Sequence, residues 1–132
     1  MLPELKWLVA NAAEDKLIGF HSTGKVRDTL PIVMEARPHF LLRFESPRFG
    51  GDISLGEAKD LYGDRVCLMG GYDPHIYLEG DMDAVRQEAI RCIDEAAAGG
   101  GYVLDNTDAV PPGTRMEVVR AMVETARAHG KY

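Results

Sequence analysis

VCLMGGYDP, residues 66–74, is an apolar run that stops at two glycines, a tyrosine, an aspartate and a proline. Val66–Met69 has the length and composition of a strand buried on both faces. Gly70-Gly71 is expected to end it abruptly, because paired glycines leave nothing to pack and allow positive φ or close backbone approach. Tyr72 and Asp73 would then project beyond the strand. The same pattern occurs three more times. Leu17–Phe20 ends at His21-Ser22-Thr23-Gly24, His39–Phe44 at Glu45-Ser46, and Tyr102–Leu104 at Asp105-Asn106-Thr107-Asp108.

Helical patterns separate these runs. Residues 3–15 carry Leu5, Leu8, Val9 and Ala12 at helical spacing, with Trp7 beside the stripe as a packing anchor. Asp28 to Arg37 is a second helix, capped by Asp28 and stopped by Pro38. Ser54 caps a third through Tyr62, with Glu57 completing a capping box. Asp81 or Asp83 opens a long helix to Ala97, with Val85, Ala89, Cys92 or Ile93, and Ala96 on one face. Thr114 caps a last helix, in which Val119, Val123 and Ala126 face inward, and Gly130 closes it. Short apolar strands alternating with helices predict an α/β fold with a parallel sheet covered by helices. The 132 residues fit a single domain. Four such units amount to half of an eight-fold barrel, which predicts part of an enzyme rather than a whole one.

Composition narrows the function. Formal net charge is −6 and the basic residues are scattered, so the chain offers no footprint for nucleic acid. No apolar stretch is long enough to span a bilayer, and the first sixteen residues do not have the form of a signal peptide. No membrane partner is expected, and the cytoplasm is the default compartment. Cys67 and Cys92 lack any metal-binding or redox spacing and are expected to be buried free thiols.

The chemistry-bearing residues sit at the strand ends, where α/β enzymes assemble their sites. His21 is a candidate acid/base or substrate-binding group, the alternative being a histidine that only hydrogen-bonds a neighbouring loop. Glu45 can hold a substrate cation or act as a base, or else pair with Arg43 or Arg48. Gly70, Gly71, Tyr72 and Asp73 form a candidate substrate-binding loop, in which Asp73 is otherwise a turn cap. Asp105 and Asp108 flank a polar loop, with Asp108 the candidate catalytic carboxylate and Asx-turns the alternative for both. His39, His75 and His129 read as incidental. Gly99-Gly100-Gly101 lacks the spacing of a dinucleotide loop.

In this order, HSTGKVRDTLP (residues 21–31) and DISLGEAKDLYGDRVCLMGGYDP… (from residue 52), followed by GGGYVL…PPGT…VVRAMV, resemble the C-terminal half of the uroporphyrinogen decarboxylase family. That family also includes cobalamin-dependent methyltransferases acting on thiols. The resemblance runs from about Leu17 to the end. It implies a TIM (β/α)8 barrel, of which this chain supplies strands five to eight. It also implies decarboxylation of tetrapyrrole side chains without a cofactor, and a partner in the form of an N-terminal half-barrel. The arginine and aspartate central to that chemistry belong to the other half, and the family's histidine in the last strand's loop matches Asp108. The methyltransferase branch implies a zinc site of the form His-x-Cys with a distant Cys and a methyl-donor substrate. His21 matches the histidine, but Thr23 and Asp108 stand at the cysteine positions, so thiolate-zinc chemistry is not expected and no metal is assigned, the alternative being a His-plus-carboxylate site for a harder metal. Three readings follow: a decarboxylase-like fragment or one half of a split enzyme, a corrinoid-linked methyltransferase relative, or a non-catalytic half-barrel that self-associates as a homodimer.

Overall fold

The computed structural model describes residues 2–12, 15–21 and 23–130. Residues 13 and 14 of the expected first helix, and Ser22 of the first polar strand end, lie outside them. The described residues form strands β1 (Gly19–His21), β2 (Phe40–Phe44), β3 (Cys67–Tyr72) and β4 (Tyr102–Asn106). The helices are α1 (Leu2–Asn11), α2 (Leu30–Met34), α3 (Leu55–Tyr62), α4 (Ile76–Glu79), α5 (Met82–Ala96) and α6 (Met116–His129), with a 3-10 turn at Pro47–Phe49. The strands are all parallel and lie side by side in chain order. This open sheet is half of a TIM barrel.

One face of the sheet is roofed by helices. Leu41, Phe44, Leu68, Tyr72 and Tyr102 point to that side and are buried. Helix α5 packs on β3 and β4 and touches α3 and α6. Its inward stripe is the expected one: Val85, Ala89, Cys92, Ile93 and Ala96 are all buried. Asp81 caps it by accepting from the Asp83 and Ala84 N–H groups at 2.8 and 3.2 Å. Ser54 caps α3 as expected, through the Glu57 N–H at 3.1 Å.

Several expectations are corrected. β3 does not stop at Met69: it runs on through both glycines to Tyr72, because Gly71 and Tyr72 stay in register with Asp105 and Asn106 of β4. Asp105 therefore lies inside a strand rather than after one. His21 likewise closes β1 instead of following it. Helix α2 is only five residues long, and Thr29 rather than Asp28 occupies its first cap position, without a side-chain bond. Thr114 does not cap α6: its hydroxyl donates to the Pro111 carbonyl at 2.8 Å, and Arg115 takes the cap position. Helix α6 is also rotated from the expected stripe, burying Val118 and Ala121 while Val123 is 37% exposed. Trp7 is no anchor, being 64% exposed on a helix that buries none of its residues.

The opposite face carries no helix among the described residues. Register sets His21, Leu42, Met69 and Val103 in one row across it. Leu42 and Met69 are half-buried and Val103 is exposed. In a closed barrel this row lines the interior, so the uncovered face is apolar with a histidine at its β1 edge.

Candidate functional site

The carboxyl ends of the four strands form a rim along one edge of the sheet. Its shape depends on a bulge in β2. Leu42 pairs with Met69, but Phe44 pairs with the very next residue, Gly70, so Arg43 is an extra residue. Strict alternation would put Arg43 on the face of Leu41, beneath the helices, and Phe44 on the open face. The bulge reverses both: Phe44 is buried and the Arg43 side chain escapes to the rim. Arg43 holds φ at 66°, a left-handed conformation that costs a non-glycine residue roughly 1–3 kcal/mol. Gly70 faces it with φ 121°. A Cβ on Gly70 would lie 3.1 Å from the Arg43 Cα, so the bulge requires a glycine there.

Arg43 Nη1 donates to Asp108 Oδ1 at 3.0 Å. The side chain thereby spans the end of β3, where Gly70 and Gly71 offer no side chain to obstruct it. Asp108 Oδ1 also accepts the Ala109 N–H at 2.7 Å, an arrangement local to the loop. The sequence alone offers Arg43 no role beyond a possible partner for Glu45. A lone arginine inside an apolar strand pattern, FLLRF, was the signal available.

Glu45 pairs with neither Arg43 nor Arg48 among the described residues. Its Oε2 accepts the Gly24 N–H at 2.8 Å, tying the end of β2 to the loop after β1. His21 is exposed and has no hydrogen-bond partner among the described residues. It lies on edge strand β1, whereas Asp108 follows β4 and is held by Arg43, and no hydrogen bond joins His21 to Asp108 among the described residues. The two candidate catalytic residues are thus not in contact, and only a ligand spanning the rim would meet both. Asp105 Oδ1 accepts the Asn106 N–H at 2.9 Å.

The Gly70–Asp73 loop splits between two environments. Tyr72 does not project beyond the strand: alternation with Leu68 turns it under α5, where it is fully buried. Its hydroxyl donates to the Val85 carbonyl at 3.3 Å and its ring stacks on Tyr77, 5.3 Å away. Burial pushes the Tyr72 phenol far above its ordinary range, and Tyr77 up to about 12. Tyr77 in turn donates to Asn106 Oδ1 at 3.0 Å. Asp73 is also buried, and its Oδ1 accepts the His75 N–H at 3.0 Å in an Asx-turn. Asp73 Oδ2 is buried without a hydrogen-bond partner among the described residues.

A cleft of about 350 Å³ behind this loop is walled by Phe49, Asp73, Glu88, Arg91 and Glu95, among others. Arg91 is its hub. The guanidinium donates to both Glu88 oxygens at 2.6 and 2.9 Å and to the Gly71 carbonyl at 2.9 Å. Its Nη1 lies 2.9 Å from Glu95 Oε2. The bond to Gly71 anchors the end of β3 to α5. Hydrogen bonding to Glu88 holds the guanidinium well above its ordinary pKa. Burial pushes the Cys92 thiol up to about 12 and raises Cys67, which is half-buried, more modestly; both are free.

Among the described residues no group of three or more His, Cys, Asp or Glu is placed to hold a metal ion, and no helix is long and apolar enough to cross a membrane. At the positions of the methyltransferase cysteines stand a threonine and an aspartate, and that aspartate is engaged by Arg43. This donor set does not fit a thiolate-zinc centre.

Residues 1–129 match the family model described as uroporphyrinogen decarboxylase (URO-D). Curated relatives bearing that name include proteins of Thioalkalivibrio sulfidiphilus, 32% identical over 59% of this chain and 22% of the relative. Another, of Methylobacillus flagellatus, is 34% identical over 58% of this chain and 21% of the relative. A third, of Coxiella burnetii, is 32% identical over 55% and 20%. The alignments cover about a fifth of each relative's length. A matched family model over nearly all of its residues, on a parallel half-barrel with polar groups gathered at the strand ends, means that the chain belongs to the uroporphyrinogen decarboxylase family.

Proposed function

We propose that this chain supplies the C-terminal half of the active-site rim of a decarboxylase-like enzyme that acts on a tetrapyrrole bearing carboxylate side chains. The observation that carries the reading is the pairing of an apolar floor with a polar rim. Leu42, Met69 and Val103 form a row suited to the face of a flat macrocycle. His21, Arg43, Asp105 and Asp108 stand around it. Imidazole is the side chain that most readily gives and takes a proton near neutrality, which suits His21 to the proton transfer that follows loss of carbon dioxide. Asp108 faces the far side of the same floor. Tyr72, turned into the core, contributes by holding β3 against α5 rather than by touching substrate.

The rest of the rim comes from four further strand–helix units, in the same polypeptide or in a partner. On this reading the chemistry needs those units, and the 132-residue chain alone is expected to show no turnover. A second copy is the alternative partner, because among the described residues β1 and β4 are the sheet edges, and β1 of one copy can pair in parallel with β4 of the other. The test is complementation. The purified chain is assayed for decarboxylation alone, and then mixed with the N-terminal half of the T. sulfidiphilus relative. Turnover in the mixture, absent from either piece and reduced by His21→Ala, is expected. Turnover by the chain alone would refute the dependence on a second half, and a mixture that forms a complex without turnover would refute the decarboxylase reading.

A further inference from the structure

We propose that Arg43 is the carboxylate-docking residue of the rim, and that Asp108 occupies its guanidinium until a substrate carboxylate displaces it. The inference rests on the tetrapyrrole reading for the identity of the ligand, but its geometry stands independently. Three features single out Arg43. The bulge and the facing Gly70 place it where regular strand pairing would have buried it, at the expense of a left-handed backbone. Its grip on Asp108 is a single contact through Nη1 at 3.0 Å, which leaves the other guanidinium donors without a partner among the described residues. The pair is open to solvent, the Arg43 and Asp108 side chains being 33% and 73% exposed.

Arg86 also makes a single Nη1 bond, to Asp83 at 2.8 Å, but from helix α5 rather than from the rim; two other arginines are held more fully. Arg91 is clamped by Glu88, Glu95 and a carbonyl, and Arg27 by Glu57 and the Asp52 carbonyl. Around Arg43 the rim carries the carboxylates of Glu45, Asp105 and Asp108. Glu45 and Asp105 accept backbone N–H groups, whereas Asp108 accepts both the Ala109 N–H and the Arg43 guanidinium. A guanidinium can exchange one carboxylate for another at little cost, because the incoming group restores the same charge-assisted bonds. A ligand that binds two donors of the fork would gain over the single bond to Asp108.

The two partners therefore have opposite effects on binding. Removing Arg43 weakens a polycarboxylate ligand, whereas removing the charge of Asp108 strengthens it by eliminating an internal competitor. The probe is uroporphyrin I, with its uncharged octamethyl ester as control, and fluorescence anisotropy on the full chain is the readout. Arg43→Gln is expected to weaken uroporphyrin binding about tenfold, and Asp108→Asn to tighten it about two- to five-fold. Urea midpoints identify any variant that has merely lost stability. A purely structural ion pair predicts no tightening on Asp108→Asn, and that result, or unchanged binding by Arg43→Gln, would overturn the proposal. A second arm titrates succinate and follows the Arg43 Nε–Hε signal by NMR. A saturable shift of that signal, which Arg43→Gln assigns by removing it, supports Arg43 even if uroporphyrin fails to bind, provided that uncharged dimethyl succinate leaves the signal unmoved. In that event it is the tetrapyrrole reading that falls.

Discussion

Replacing Arg91 by methionine tests whether the charge network on α5 holds the end of β3. The side chains of Arg91, Glu88 and Glu95 are 34%, 14% and 31% exposed. Breaking a fully buried ion pair costs about 3–5 kcal/mol, because the remaining charge is left desolvated and unpaired. Glu88 is close to that limit, whereas Arg91 and Glu95 are partly hydrated and recover some solvation by rearranging. The Gly71 carbonyl also loses its donor, a loss worth about 1 kcal/mol. The expected net cost is about 2–3 kcal/mol. Methionine retains much of the aliphatic stem, so little of this arises from packing. Urea denaturation followed by circular dichroism reads the change as a shift in midpoint at constant slope. A double-mutant cycle with Glu88→Gln supplies the decisive comparison. Once the carboxylate is neutral, removing Arg91 should cost at least about 1 kcal/mol less than it does in the parent. If Arg91→Met lies within about 0.5 kcal/mol of the parent, the pair is only surface decoration. If the two substitutions are simply additive, the charge argument is wrong even if the protein is destabilised.

Gly70→Ala should destabilise the fold by about 2 kcal/mol or more in the same urea assay, since a Cβ would crowd the Arg43 backbone and φ 121° is strained for alanine. A near-neutral result would mean that the bulge is not locked by Gly70. A second expectation concerns acid. Hydrogen bonding to Arg27 holds the Glu57 carboxyl below its ordinary range. Burial opposes the charged form of Asp52, but the N–H groups of Arg27 and Val26 leave it lowered as well. A lowered folded-state pKa gives stability that is present above the unfolded value and lost as pH falls through the folded one. Urea midpoints should therefore fall between about pH 5 and pH 3, and Glu57→Gln should make that fall shallower. An identical pH profile for the variant would remove Glu57 from the account.

The helical stripe of α5 is readable because fifteen residues give the period several repeats: Val85, Ala89 and Ala96 are buried, and so are both of the alternatives, Cys92 and Ile93. The alternation of strands and helices, and with it the parallel sheet, was readable for the same reason. Helix α6 was read one residue out of phase, since VVRAMV offers two overlapping apolar stripes and only the neighbouring α5 decides between them. Helix α4, a single turn burying Ile76 and Tyr77, is too short to show any period and went unread. The glycines of β3 read as a stop in the sequence, because local sequence cannot reveal the pairing with β4 that carries the strand through them. The bulge at Arg43 was invisible for a similar reason. An extra residue in a strand shows only against its partner's register, and that register is a property of two segments. In the candidate site, Glu45 and Asp108 follow their strands, Asp105 lies within the end of β4, His21 stands at the edge of the open face, and Tyr72 is in the core.

The sheet order β1-β2-β3-β4 has a consequence for how the chain acquires its structure. Each strand borders only strands that come just before or after it in sequence, so each pairing closes one strand–helix–strand loop and no more. Such a chain can build up like a stack of repeats, each unit templating the next and stability accumulating step by step from neighbour to neighbour. Losing an edge unit would then shorten the sheet rather than abolish it, whereas severing the pairing of β2 with β3 would divide the molecule into two pieces too small to persist.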